Sequence, residues 1–231
     1  MLISSANLLP DDIGAFVRLA VLCAFSGAVA IWVNGWFQAL VATVLGDPAP
    51  RAQGRLFGNP VRHLDIPGMI LATLSGFGWG RQLPGPPGRQ GRWPSVVVSA
   101  AGPLGNLTVA FLLASPVKAG LLGWTYPSPD SLNLVMTGGL RSGISDVVGL
   151  LIIYNLLQAA FQTLPLAPLA GYRALGALLP AASAEGYQRF QRFAPLLLVA
   201  LVASDFVLRP GVLWSTLLPV ADWLARLATG Y

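Results

Sequence analysis

The side chains that could do chemistry in this sequence are mostly amides set inside apolar runs. They fall in three separate runs: Asn34 and Gln38, then Asn106, then Asn155, Gln158 and Gln162. Residues four apart share one face of a helix, so such amides either bond neighbouring helices together or line a buried polar site. His63 is the only histidine and Cys23 the only cysteine. A metal site built from several imidazoles or thiolates is therefore excluded, as is a disulfide within the chain.

The composition is that of a membrane protein. Of the 231 residues, 55% are hydrophobic and 10% charged, and the mean hydropathy is +0.65, whereas soluble domains carry about 25% charged residues. At roughly 20 apolar residues per membrane span, the chain has room for about four to six membrane segments. The net charge of +5 is expected in cytoplasmic loops, not in a nucleic-acid site.

The apolar runs predict an all-α polytopic membrane protein. Residues 67–78 are too few to cross a bilayer and predict a re-entrant segment between the first and second spans. We expect spans at 13–45, 94–117, 143–163 and 193–208, and a last helix at 212–228 that either spans or lies at the interface.

The loops set the expected orientation. Nine of the 14 basic residues fall in the loops 46–93 and 164–192, which the predicted spans place on one side. The positive-inside rule assigns that side to the cytoplasm. The N-terminus is then outside, and its acidic first residues do not resemble a cleaved signal peptide.

Five motifs, in order, resemble the site-2 protease family of intramembrane zinc metalloproteases. Asn34-Gly-Trp-Phe-Gln38 with Leu45-Gly-Asp47 resembles the helix that carries H-E-x-x-H. Asn59-Pro-Val-Arg-His-Leu-Asp65 resembles the following loop, and Gly76-Phe-Gly-Trp-Gly80 the segment after it. Gly102-Pro-Leu-Gly-Asn106 matches the Gly-Pro-x-x-Asn helix, and Asn155 to Gly171 resembles the helix that ends in Asn-Leu-Leu-Pro-x-x-Pro-Leu-Asp-Gly. The resemblance implies a core of three spans and a re-entrant segment over residues 1–178, with 179–231 as a C-terminal addition.

The departures from the family fall on its catalytic positions. By this resemblance, Asn34 and Gln38 stand where the family has its two histidine ligands. Gly35 stands at the general base, and Ala170 at the aspartate that completes the zinc site. Catalytic zinc needs three imidazole or carboxylate ligands and an activated water, so we expect no catalytic residue, no metal and no cofactor. His63 matches a loop position, where we expect it to form a hydrogen bond.

Further residues are candidates for contacts. Trp36 and Phe37 either fill space left by a missing metal or face a neighbour. The amides of Asn106, Asn155, Gln158 and Gln162 are candidates for interhelical or partner contacts. Cytoplasmic basic residues attract anionic lipid, which makes the loop arginines candidates for headgroup contacts: Arg81, Arg89 and Arg92. Asp205 is expected to pair with Arg209 at i+4.

We therefore expect a proteolytically inactive protein of the bacterial inner membrane. It would act as an interaction module or accessory subunit, with membrane lipids and other membrane subunits as partners, a lipid as its only expected ligand, and no nucleic acid. One alternative is an active metalloprotease with unconventional or partner-supplied ligands. The other is a small transporter or channel, which would need a water-filled path past Asn34, Asn106 and Asn155.

Overall fold

The computed structural model describes residues 13–57, 59–83, 91–124, 140–208 and 211–231. Its helices are α1 (Ile13–Val44), α2 (Ala49–Ala52), α3 (Ile66–Ser75), α4 (Arg92–Lys118), α5 (Leu140–Phe161), α6 (Ala170–Leu178), α7 (Ala181–Gln191), α8 (Ala194–Val207) and α9 (Val212–Thr229), with a short 3-10 turn at Pro60–Arg62. The described residues contain no strand, which confirms the predicted all-α class.

Three helices are long and apolar enough to cross a bilayer. They cover Phe16–Val44, Arg92–Lys118 and Arg141–Phe161, close to the first three predicted spans. The predicted fourth span corresponds to α8, which has 14 residues. At 1.5 Å per residue it reaches about 21 Å, less than the ~30 Å hydrocarbon core. The bounds of α8 agree with the predicted 193–208 within one residue at each end, but the helix is not among the three that are long enough to span.

The segment after α1 folds back as a tight hairpin. Helix α3 begins at Asp65, whose carboxylate accepts from the Gly68 amide, and ends at Gly76, where φ of +88° favours glycine. The chain then returns alongside α3, and a Cβ at Gly68 would lie 2.0 Å from the Trp79 carbonyl oxygen. The indole of Trp79 donates to the Asp65 carboxylate at 2.9 Å. This helix of 10 residues with an extended return confirms the predicted short, non-spanning segment.

The core lies between α1, α4 and α5, which pack on one another. Its fully buried side chains include Leu150, Tyr154 and Phe161 of α5. The same core also takes in Leu198 of α8 and Leu217 of α9. Helix α9 contacts α4, α5 and α8, so the C-terminal helices complete one apolar core with the spans.

The structure does not test two of the predictions on charged residues, and it contains one ion pair on α9 that was not predicted. The predicted pair Asp205–Arg209 and the candidate Arg89 lie outside the described side chains. On α9, Asp222 accepts from Arg226 one turn away at 2.9 Å, an exposed pair of the kind worth about 0.3–0.5 kcal/mol.

Candidate functional site

A chain of amide hydrogen bonds joins the three spanning helices at their centre. Gln38 Nε2 donates to Asn34 Oδ1 at 2.7 Å, and Asn34 Nδ2 donates to Asn106 Oδ1 at 2.8 Å. Asn106 Nδ2 donates to Asn155 Oδ1 at 2.8 Å and to the Ala30 carbonyl at 2.9 Å. Asn155 Nδ2 closes the chain on the Leu151 carbonyl. Asn34, Asn106 and Asn155 therefore contact one another across the three helices, whereas Gln158 and Gln162 take no part in this chain.

Glycines on α4 permit this close approach. A Cβ at Gly102 would lie 2.7 Å from both Asn34 Oδ1 and Gln38 Nε2. A Cβ at Gly105 would lie 2.3 Å from the Phe37 ring. Real Cβ atoms do not come so close, so any larger residue at either position would push α1 away from α4.

His63 is buried against the α1 backbone at Gly35. Its Nε2 lies 2.9 Å from the Arg55 carbonyl oxygen, which can only accept, so Nε2 carries the proton. A Cβ at Gly35 would lie 2.6 Å from His63 Nδ1. Burial lowers the pKa of His63, and the positive charge of Arg55 lowers it further. The hydrogen bond to the Arg55 backbone raises the pKa but does not offset these two effects. The predicted loop hydrogen bond is present, and the neutral ring also fills the space beside Gly35.

The four positions that the resemblance aligns with the family's catalytic residues line one cavity of about 20 Å³: Asn34, Gly35, Gln38 and Ala170. That is room for about one water molecule. Ala170 is held there because its N–H donates to Gln162 Oε1 at 2.9 Å. The positions were matched only through the resemblance, and the fold brings all four together.

An extended segment, Gly80–Leu83, forms the other wall of the cavity. Arg55 Nη1 and Nη2 donate to the carbonyls of Arg81 and Gln82, both at 2.9 Å. Arg173 Nη1 donates to the Leu83 carbonyl at 2.7 Å, and Gln82 Nε2 donates to the Pro168 carbonyl. Three consecutive carbonyls are thus held by two guanidinium groups.

Sequence reasoning missed Arg55 and Arg173 as site residues. Both were counted only as cytoplasmic charge, yet both line the cavity, as does Arg81. The signal available was the position of Arg55 just before the Asn-Pro loop. Their partners lie 26 and 90 residues away, and periodicity carries no information at that range.

The donor set around the cavity does not fit a zinc ion. Zinc takes thiolate, imidazole or carboxylate ligands, and the described residues contain no cluster of three such groups. The Asn34 oxygen and nitrogen are both used in hydrogen bonds to other amides, and the Ala170 side chain has no donor atom. Three arginines in the wall also oppose a cation.

The aromatic pair beside the amides does not fill the cavity. Trp36 and Phe37 meet edge to face with centroids 5.2 Å apart, and neither lines the cavity. Phe37 packs on Gly105 instead. Of the two interpretations left open for this pair, filling the space of a metal is not what the geometry shows.

The remaining candidates differ in their surroundings, and the buried Nε2 of Gln158 has no hydrogen-bond partner among the described residues. Gln158 and Gln162 are 2% and 4% exposed, so their side chains face the core. Arg92 donates to the Leu178 carbonyl at 3.0 Å, at the end of α6, and its guanidinium lies 6.0 Å from the Trp93 ring centroid. Arg81 is exposed, and it reaches the cavity wall, whereas Arg92 does not.

A comparison with curated proteins finds an informative relative. "Putative zinc metalloprotease YwhC" of Bacillus subtilis (strain 168) is 36% identical over 145 residues. The match covers 62% of this chain, and the chain spans 62% of the relative's length. No family model matches the sequence, and no solved structure matches it. The relative's name includes a zinc metalloprotease, and the order of motifs in this sequence resembles a family of zinc metalloproteases. Together these two similarities suggest a site-2-protease-like family. The three long apolar helices indicate an integral membrane protein.

Proposed function

We propose that this chain is a proteolytically inactive relative of site-2 proteases that acts as an interaction or accessory subunit in a bacterial membrane complex. The observation that carries the proposal is the amide chain from Gln38 to Asn155. Zinc proteolysis needs basic donors and a base at these positions. Here neutral amides use their donors and acceptors to bind one another, which supports a structural role for the three-span core.

The orientation in this proposal follows the loop charges. The loops rich in arginine, with Arg55, Arg81 and Arg173, face the cytoplasm, and the N-terminus faces outward. Membrane lipid is then in contact with the exposed faces of the spans, where Val17, Val21 and Phe25 follow one another at i+4 on α1.

A second candidate is supported by the name of the relative. A metalloprotease could in principle take ligands from another subunit, and "Putative zinc metalloprotease YwhC" is 36% identical over the matched part. The channel alternative is not supported, because Asn34, Asn106 and Asn155 are 4%, 0% and 0% exposed and bonded to one another. Among the described residues, this leaves no water path past them.

Metal analysis and a cleavage assay separate the two candidates. The full chain, purified in mild detergent and incubated with zinc, is expected to hold well under one zinc per chain and to leave a membrane peptide uncut. The double variant N34A/Q38A is the control, since it removes both side-chain amides of α1. Stoichiometric zinc that this variant loses, or cleavage by the wild-type chain, would overturn the proposal.

Native purification tests the subunit role. The chain is expected to elute with defined membrane proteins at constant stoichiometry, measured by mass spectrometry against an unrelated membrane protein with the same tag. A chain that elutes alone as a monomer contradicts the subunit role while leaving the inactive core untouched.

A further inference from the structure

The guanidinium group of Arg55 is a buried positive charge. Arg55 is 5% exposed, and its two terminal nitrogens bind backbone carbonyls. Among the described residues, no carboxylate forms an ion pair with it. Since a buried charge without a counter-charge is strongly unfavourable, an anion from outside the chain would stabilise it.

The surroundings add positive charge. Arg81 and Arg173 line the same cavity as Arg55, and none of the cavity-lining residues is acidic, although the Asp47 carboxylate outside the lining interacts electrostatically with Arg173. Burial lowers the pKa of Arg55, and the charges of Arg81 and Arg173 lower it further. A cleft lined by one sign of charge concentrates ions of the opposite sign.

The cavity also offers a hydrogen-bond donor, and its volume limits the size of a ligand. Gln38 Nε2 uses one N–H for Asn34, and an amide nitrogen has two, which leaves a donor at the cavity wall. The volume of about 20 Å³ matches one atom-sized ligand of the kind a single water site holds. A carboxylate or phosphate group is larger than a single atom-sized ligand and fits this volume less well.

We propose that the cavity binds one small monovalent anion of the halide class, held by Arg55 and favoured by Arg81, with Gln38 as a further donor. The anion supplies the counter-charge that no carboxylate of the described residues provides to Arg55 by an ion pair. This anion site is independent of the proposed subunit role, because it is inferred from the surroundings of Arg55 and not from the lack of proteolytic activity.

The test is a thermal unfolding titration of the full chain in detergent. Sodium chloride is titrated against sodium gluconate at constant ionic strength, with bromide, acetate and phosphate as further arms. A ligand that binds only the folded state raises Tm in a saturable way. We expect chloride and bromide to do so and gluconate not to.

Variants of the cavity arginines test whether the chloride-dependent rise in Tm comes from this cavity. R55Q is expected to abolish the chloride response, while R51Q, which changes an exposed arginine on α2 outside the cavity, should retain it. Since R55Q also removes two bonds to the wall segment, R81Q is the second variant. It leaves those bonds in place and is expected to raise the half-saturating chloride concentration several-fold.

Equal responses to chloride and gluconate, or an unchanged chloride response in R81Q, would overturn the site. Saturation by acetate or phosphate at lower concentration than chloride would overturn the halide assignment. Bromide anomalous scattering at the Arg55 cavity would support it directly. A chain with neither zinc nor a chloride response would refute this inference and leave the proposed function standing.

Discussion

The imidazole of His63 occupies the space into which any side chain at Gly35 would project. The two residues are far apart in the chain, and a Cβ at Gly35 would lie 2.6 Å from His63 Nδ1. The histidine is fixed on its far side by the Arg55 carbonyl at 2.9 Å. A residue with a carboxylate at position 35 is therefore incompatible with this position of the loop.

The substitution G35A should destabilise the protein by about 1–3 kcal/mol, as overpacking does in close-packed interiors. G186A is the matched control, since a Cβ there meets nothing within 4 Å and an alanine in a helix is more favourable than glycine by about 0.5–1 kcal/mol. Thermal unfolding in detergent measures both. A G35A protein as stable as wild type would contradict the packing described for His63.

A double-mutant cycle sharpens the same prediction. H63A removes the ring that the new methyl group meets, so G35A should be much less harmful in an H63A background. If the effects of G35A and H63A simply add, the two positions do not contact each other.

Asn106 is the junction of the amide chain, so N106L should be among the most destabilising single changes in the core. It leaves Asn34 and Asn155 without their partner, and each orphaned buried polar group costs about 1–3 kcal/mol. T108V is the control, because Thr108 lies on the same helix, is exposed, and bonds only to its own helix. Equal stability of the two variants would show that the amide chain contributes nothing.

The indole of Trp79 fixes the hairpin through Asp65. W79F keeps most of the ring volume and removes the 2.9 Å bond, so we expect a loss of about 1 kcal/mol and faster hydrogen exchange in residues 66–83. W93F changes a tryptophan that is 67% exposed and should alter neither. Unchanged exchange in W79F would show that glycine packing alone holds the return segment.

Stability should depend on pH through His63. Burial lowers its pKa in the folded state, whereas in the unfolded chain it titrates near 6.5. Below about pH 6.5 the unfolded chain therefore binds a proton that the folded chain does not, and the free energy of unfolding falls as the pH decreases towards the folded-state pKa. H63Q should flatten this dependence, measured as Tm between about pH 7.5 and about pH 5.5. A wild-type profile that H63Q leaves unchanged would assign the effect to other groups.

Much of the fold could be predicted from local pattern. The length of the apolar runs predicts α1, α4 and α5, and the 12 residues of 67–78 predict a segment too short to span. The i+4 spacing of Asn34 and Gln38 places both amides on the face that meets Asn106. At α8 the predicted bounds of 193–208 agree with the observed Ala194–Val207 within one residue at each end, but the helix is not long enough to count as a span.

The site itself could be predicted only in part. The order of motifs predicted that Ala170 and Asn34 belong to one site, and both line the same cavity. Periodicity gives no such prediction for residues so far apart in the chain. The contacts of Arg55 and Arg173 depend on where a loop and two helix ends meet in space. Burial of His63 behind Gly35 likewise depends on the return of the hairpin, so its packing role could not be read from a loop position.

The backbone carbonyls of Arg81, Gln82 and Leu83 have a consequence for how other chains can approach. Because guanidinium groups of the same chain already donate to these three carbonyls, a peptide that pairs with this segment has to compete with Arg55 and Arg173 for the acceptors. The three carbonyl oxygens are thus already hydrogen-bonded to side chains of the same chain. Contacts of this segment with another chain would then depend more on side chains than on main-chain pairing.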